Sequence, residues 1–295
     1  MSLRKVLLAS ILGLGVVLPP EARNAQAGTP AAEYANPGLV VETDQLEAML
    51  ADPDVRVVDV RPAEAYAEGH IPNAVHLGAD DVNDPYAHMA GIRLPDAEIA
   101  AMLGERGIDN NTKVVLYDDQ GGFHAARLFW MLEYFGHQDV AVLNGGIPKW
   151  QAEGREVTAE GAAVEPTTFA LNLSPRKEAS ADWLLAHELD PRVVVIDVRP
   201  GKMYDDGHIP WANSLPWKQN LADDGTLKSP ADLVAHFTAA GVTPDKNIAI
   251  HCQTGKASAH SYWALRAAGY PRLRVYDRSW AEWGQADDLP KATKS

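Results

Sequence analysis

Cysteine is nearly absent from this chain of 295 residues, which has one, Cys252. No disulfide framework can be built within it. Basic residues are also scarce, with 26 Lys and Arg against 40 Asp and Glu and a net charge of −14. A surface of that sign repels phosphate backbones, and no Lys/Arg-rich run offsets it, so nucleic acid is excluded as the default partner. Long apolar runs are missing too. The uncharged stretch Val6 to Leu18 has 13 residues, too few to cross a hydrocarbon core of about 30 Å as a helix. What remains is 46% hydrophobic and 22% charged residues, an ordinary globular composition that excludes disorder and collagen and is enough for about two domains.

The short apolar run has its own meaning. Arg4-Lys5 precede it, and Pro19-Pro20 and then Ala25-Gln26-Ala27 follow. These are the charged, apolar and small-residue regions of a secretory signal. Residues 1–27 are expected to be removed on export, to the periplasm in a bacterium, with no stable membrane insertion afterwards. A lone cysteine kept in an oxidising compartment then calls for an explanation, either chemistry or indifference.

An internal repeat sets the organisation. Asp59-Val60-Arg61-Pro62, a six-residue gap and Gly69-His70-Ile71-Pro72-Asn73-Ala74 return as Asp197-Val198-Arg199-Pro200, the same gap and Gly207-His208-Ile209-Pro210-Trp211-Ala212. Further on, Val114 to Asp118 lies over Ile248 to Cys252, and Trp150 over Trp283. The chain therefore reads as two copies of one domain, over 39–155 and 180–290. The Ala/Pro/Thr/Glu-rich stretch 156–179 is read as the linker. Each copy alternates strands and helices. Val55–Val60, Val193–Val198, Lys113–Tyr117, Asn247–His251, Val140–Leu143 and Arg274–Tyr276 are apolar, strand-like runs. Residues 96–106, 231–240 and 257–268 have helical spacing and stop at Gly107, Gly241 and Gly269. The fold class is α/β, each domain a parallel sheet flanked by helices.

In such sheets ligands sit beyond the carboxyl ends of the strands. Cys252 is at that position, opening the loop Cys252-Gln253-Thr254-Gly255-Lys256-Ala257 into a helix. Inward backbone N–H groups and the helix start favour a thiolate and a bound anion there. A phosphatase loop would need an arginine after five residues, where Ser258 stands, and a P-loop lacks its upstream glycine. Lys256 is the loop's cation and would attract a dianion. His251 reads as a packed neighbour, and His70 and His208, present in both copies, as structural. Arg199 divides between binding a donor anion and a structural ion pair, since Arg61 repeats it.

The tandem Asp-Val-Arg-Pro and Gly-His-Ile-Pro stretches resemble the two-domain rhodaneses, thiosulfate and 3-mercaptopyruvate sulfurtransferases. So do the Tyr117 to Gly122 and Leu143 to Trp150 segments, and the Cys252 loop followed by Tyr276-Asp277-Arg278-Ser279-Trp280. The likeness covers about residues 39 to 288. It implies a first domain without activity, where Asp118 stands in place of the cysteine, and a catalytic second domain with its site between the two. It also implies that Cys252 carries sulfur as a persulfide from a donor to cyanide or a thiol, by ping-pong kinetics and without metal or organic cofactor. Gln253, Thr254, Gly255, Lys256, Ala257 and Arg199 would bind the donor. Gln253 and Lys256 favour thiosulfate. The alternative donor, 3-mercaptopyruvate, would call on a relay in which Asp81 and His88 join the residue at Thr254. A catalytically idle binding module is the alternative of another class. A monomer is expected.

Overall fold

The structure, a computed structural model, describes residues 33–294, so the expected signal segment 1–27 lies outside the described residues. In the first half, the strands are β1 (Val40–Val41), β2 (Val55–Asp59), β3 (Val75–His76), β4 (Lys113–Tyr117) and β5 (Val140–Leu143). The helices between and after them are α1 (Thr43–Met49), α2 (Ala63–Glu68), α3 (Asp96–Glu105), α4 (Ala125–Tyr134) and α5 (Gly146–Ala152). The second half repeats the series with β6 (Glu178–Ala179), β7 (Val193–Asp197), β8 (Ala212–Ser214), β9 (Asn247–His251) and β10 (Leu273–Tyr276). Its helices are α6 (Ala181–Ala186), α7 (Gly201–Asp206), α8 (Pro230–Ala239), α9 (Lys256–Ala267) and α10 (Ser279–Trp283).

The two sheets have the same strand order, β1-β5-β4-β2-β3 and β6-β10-β9-β7-β8, with every pair parallel. The β-branched runs explain the central strands, because Val, Ile and Leu cover both faces of a sheet buried under helices. Helix ends follow their local signals. Ser229 caps α8 by accepting from the Asp232 N–H, with Pro230 at the first position, and Gly241 takes a φ of 75° just past its end.

The core has three parts. One apolar cluster lies against the outer face of each sheet, around Trp150 in the first half and Trp283 in the second. The third runs without a break through both halves and includes Phe129 and Trp130 of α4 with Tyr262 and Trp263 of α9. These two helices are pressed between the sheets, and every residue of α4 is buried. The halves consequently cluster as one unit.

Two segments flanking the expected domains make contacts the sequence did not show. The expected linker 156–179 ends in β6, which pairs with β10 as an edge strand of the second sheet. Upstream of β6 the stretch hugs the first half, where Thr158 pairs with His70 and the Ser174 N–H donates to the Tyr134 carbonyl. The first domain was expected to begin at residue 39, yet residues 34–36 already cross to the second half. The Tyr34 hydroxyl donates to the Lys228 carbonyl, and Asn36 donates to the carbonyls of Arg266 and Ala267 at the end of α9. Short polar segments of this kind leave no periodicity to read.

Candidate active site

The neighbouring strands β7 and β9 hand the chain on in opposite directions, to β8 on one side and β10 on the other, so the crevice at their carboxyl ends is a topological switch point. Cys252 follows β9 directly and Arg199 follows β7 two residues on. The loop from Cys252 turns at Gly255, whose φ is 91°. A Cβ there would collide with the carboxylate of Asp277 and the guanidinium of Arg127, so only glycine fits. This turn aims the Gly255 N–H at the Cys252 sulfur, 3.2 Å away, at the start of α9.

Two hydroxyls complete the surroundings of the thiol. Ser258 Oγ lies 3.6 Å from Sγ and donates to the Gly255 carbonyl. Ser279 Oγ lies 3.9 Å from Sγ, accepts the Cys252 N–H at 3.0 Å and donates to the Tyr276 carbonyl. Ser279 does this from a left-handed conformation, φ 54°, that the first half gives to a glycine, Gly146 at 58°. A non-glycine residue in that region is strained, and such strain gathers at functional sites. Cys252 itself is buried, with 2% of its surface exposed.

The first half shows what this turn is built to hold. Asp118 follows β4 as Cys252 follows β9, and its carboxylate accepts four backbone N–H groups, from Gln120, Gly122, His124 and Ala125, at 2.6 to 3.0 Å. The strand-to-helix turn is an anion cradle, and here the chain's own carboxylate fills it. In the second half the sulfur stands at the same place.

The other predicted residues divide between the site and the scaffold. Arg199 is buried and committed, with Asp197 at 2.6 Å, the Gly207 carbonyl at 2.6 Å and the ring of Trp280 at 4.5 Å. Arg61 makes the matching bonds to Asp59 and Gly69 in the half without a cysteine. His70 and His208 are likewise twins, each donating from Nδ1 to the carbonyl of a tyrosine four residues back and stacked on its ring at 3.8 Å. His251 is fully buried, 3.6 Å from Asp197. Burial pushes its imidazole below the ordinary histidine range against the pull of that carboxylate, which suits a packed neighbour.

Lys256 reaches out of the loop to Asp80 of the first half, 2.6 Å away. Gln253 gives its carbonyl to the Ala281 N–H, and its buried side-chain Oε1 has no partner among the described residues. Thr254 is covered by Gly91 of the first half, where a Cβ would come within 2.6 Å of the Thr254 carbonyl. Ala257 is buried at the first turn of α9. The relay candidates are apart in their bonding. The Asp81 carboxylate accepts the Gly78 N–H at 2.8 Å, His88 is exposed, and among the described residues no hydrogen bond joins His88 to Asp81 or Thr254.

Sequence reasoning expected a site between the halves but missed the first-half residues that border it: Asp80, Gly91, Arg93 and Arg127. It also missed the role of Asp277, to which both arginines are paired. A charge two residues before Ser279 was visible, but its partners lie 150 and 184 residues away, beyond any local pattern.

Comparison with known proteins agrees with this geometry. The profile of the rhodanese-like domain matches twice, at residues 42–153 and 180–286. The thiosulfate sulfurtransferase of Azotobacter vinelandii is 34% identical over 266 residues, 88% of this chain and 98% of the relative. The sulfur carrier protein TtuD of Thermus thermophilus is 34% identical over 281 residues, with the same coverage. The 3-mercaptopyruvate sulfurtransferase of Escherichia coli is 33% identical over 279 residues, 85% of this chain and 96% of the relative. Among solved structures, SseA of E. coli superposes with a TM-score of 0.74 and 28% identity, covering 82% of this chain and 98% of that one. With the repeated sheets, the cradle in each half and both profile matches in register with them, the chain belongs to the rhodanese family as a tandem of two rhodanese-like domains.

Proposed function

We propose that the protein is a sulfurtransferase with Cys252 as the sulfur carrier and thiosulfate as the donor. The observation that carries this reading is the Cys252 sulfur standing in an anion cradle, 3.2 Å from the Gly255 N–H, where the first half holds a carboxylate. The Cys252 thiolate attacks the outer sulfur of thiosulfate, the S–S bond breaks and sulfite leaves with the bonding pair. The new Cys252 persulfide carries one negative charge. Cyanide or a thiolate then attacks its terminal sulfur, forming thiocyanate or a new persulfide and returning the Cys252 thiolate. The Gly255 N–H is placed to stabilise the sulfur anion, as an oxyanion-hole donor does for oxygen.

Thiosulfate is favoured over 3-mercaptopyruvate by two features. Lys256 gives the loop a cation at its rim, and among the described residues no hydrogen bond joins Asp81, His88 and Thr254 into the relay that would assist the second donor. Arg199 is assigned to holding the β7 turn beside the site, with donor contact as a secondary role. Export directed by residues 1–27 and a monomeric state belong to the same reading, and the mass of the secreted protein and its sedimentation test them.

Sulfur transfer to cyanide, with thiosulfate and 3-mercaptopyruvate compared for the wild type and Cys252→Ser, decides the matter. The expected result is turnover with thiosulfate that vanishes in the variant, and a gain of one sulfur atom on Cys252 after thiosulfate alone. Preference for 3-mercaptopyruvate would overturn the donor. Silence with both would overturn the enzyme in favour of a binding module.

A further inference from the structure

One guanidinium joins the two halves directly beneath the cysteine loop. Arg127, on α4 of the first half, is 1% exposed and pairs with Asp277, which follows β10 of the second half and is 4% exposed. Its other nitrogen donates to the Gly91 carbonyl at 3.3 Å. Gly91 is the residue laid over Thr254, and Asp277 and Arg127 together are what a Cβ on Gly255 would strike. The roof of the loop and its floor are therefore tied to the same side chain. Arg93 supplies a second guanidinium to Asp277 at 3.0 Å, but divides itself among Glu178 and Asp96 as well.

The charges matter as much as the contacts. Asp277 places a buried carboxylate beside the amide that serves the Cys252 sulfur. Unpaired, it would oppose the thiolate and the persulfide, because a like charge disfavours ionisation in a site shielded from water. The loop itself has no arginine, and its cation, Lys256, is turned outward to Asp80. The neutralising charge comes instead from the first half.

We propose that Arg127 is a positioning residue for sulfur transfer, contributed by the half that lacks the cysteine. It fixes Asp277 and the Gly255 turn, and it cancels the Asp277 charge beside the turn that serves the Cys252 sulfur. This rests on the persulfide reading above, and it gives the first half a part in the chemistry beyond that of a wall.

Cys252 is the sole cysteine, so its alkylation by iodoacetamide reports on the thiolate without turnover. The rate is measured against pH for wild type, Arg127→Met, Arg127→Lys and the double variant Arg127→Met with Asp277→Asn, each checked for folding by thermal denaturation. Arg127→Met, which leaves the carboxylate facing the loop, is expected to slow alkylation at neutral pH about tenfold and to move its pH midpoint up by about one unit, a tenfold change in the ionisation equilibrium. The double variant, in which both members of the Arg127–Asp277 pair are neutral, is expected to recover most of that rate, and Arg127→Lys, which keeps the cation, to be at least as fast as the double variant. If Arg127→Met does not fold, the double variant and Arg127→Lys carry the comparison, and a lysine variant slower than the neutral pair would overturn the proposal. A wild-type profile in Arg127→Met would overturn it as well, as would a double variant no faster than the single one. Failure of the function reading looks different, as a wild type without sulfur transfer from either donor while the alkylation series still holds.

Discussion

Asp118 and Cys252 stand at the same turn of the two halves, and each is the group that its turn was shaped to surround. For Asp118 the four N–H bonds serve structure alone. Replacing it with alanine strands several buried donors, at about 1–3 kcal/mol for an unsatisfied group, so the urea midpoint is expected to fall by an amount equivalent to at least about 2 kcal/mol. Lys256 makes a different test. Asp80 competes with any donor for its ammonium, and although burial alone would raise the Asp80 carboxyl, the bond to Lys256 holds it below the ordinary range. Asp80→Asn is expected to lower the thiosulfate KM at low ionic strength, and Lys256→Ala to raise it severalfold with kcat little changed. Both effects should shrink in added salt, since the pair sits at the rim and is screened. An unchanged KM in Lys256→Ala would remove that residue from donor binding. Cys252 was legible at this scale because a lone cysteine closing a β-branched run and opening a glycine turn is a local pattern. The twin arginines show the limit: the repeat pointed to a shared structural ion pair for Arg61 and Arg199 but left donor binding open, and it did not show which partners they use.

At the scale of elements, the joint between the halves is α4 against α9. Its polar centre is Glu133, nearly buried, which accepts from Arg266, from the Tyr262 hydroxyl and from Lys177. Burial would raise the Glu133 carboxyl, but Arg266, Lys177 and Tyr262 outweigh it and hold it below the ordinary glutamate range. A carboxyl depressed by folding contributes stability that is present in full above its unfolded value, near 4.5, and is lost as pH falls through the lower folded value. Glu133→Gln is therefore expected to lower the melting temperature at pH 7 by an amount equivalent to about 3–5 kcal/mol, the cost of breaking a buried ion pair on one side. The gap between variant and wild type should close as the pH falls below about 4. A constant gap across that range would contradict the assignment. The central strands and α3, α8 and α9 were legible within a residue or so from their apolar runs and terminal glycines. The edge strands β1, β3, β6 and β8 were not, because two or three residues are too few to show an alternation. They exist only through the strand beside them.

Across the whole molecule, one apolar cluster passes through both halves, so neither half has a finished surface of its own. Heating is expected to give a single calorimetric transition, with van't Hoff and calorimetric enthalpies in agreement. Two separable transitions would show the halves to be independent. A fragment starting at Pro175 would keep its five strands and Cys252, but would lose Arg127, Gly91 and Asp80 and expose Tyr262 and Trp263 of α9. It is expected to aggregate or to show no sulfur transfer. The sequence announced two domains, since the repeat is written in motifs. A site between the halves was expected from the resemblance, but the contacts that join them were not legible, because they belong to residues that differ between the copies and pair far apart along the chain.

The crossing of residues 34–36 onto the second half has a consequence for the order in which the chain is made. The carbonyls that Tyr34 and Asn36 engage belong to residues 194 and 230 positions further on. While the ribosome is still working through the linker, those early residues have nothing to fasten to, and α4 has no α9 against which to lie. The first half must wait half-dressed, with its apolar helix showing, until α9 has emerged at Ala267 of 295 residues, which makes the interval of synthesis the period of greatest exposure to aggregation and to chaperones.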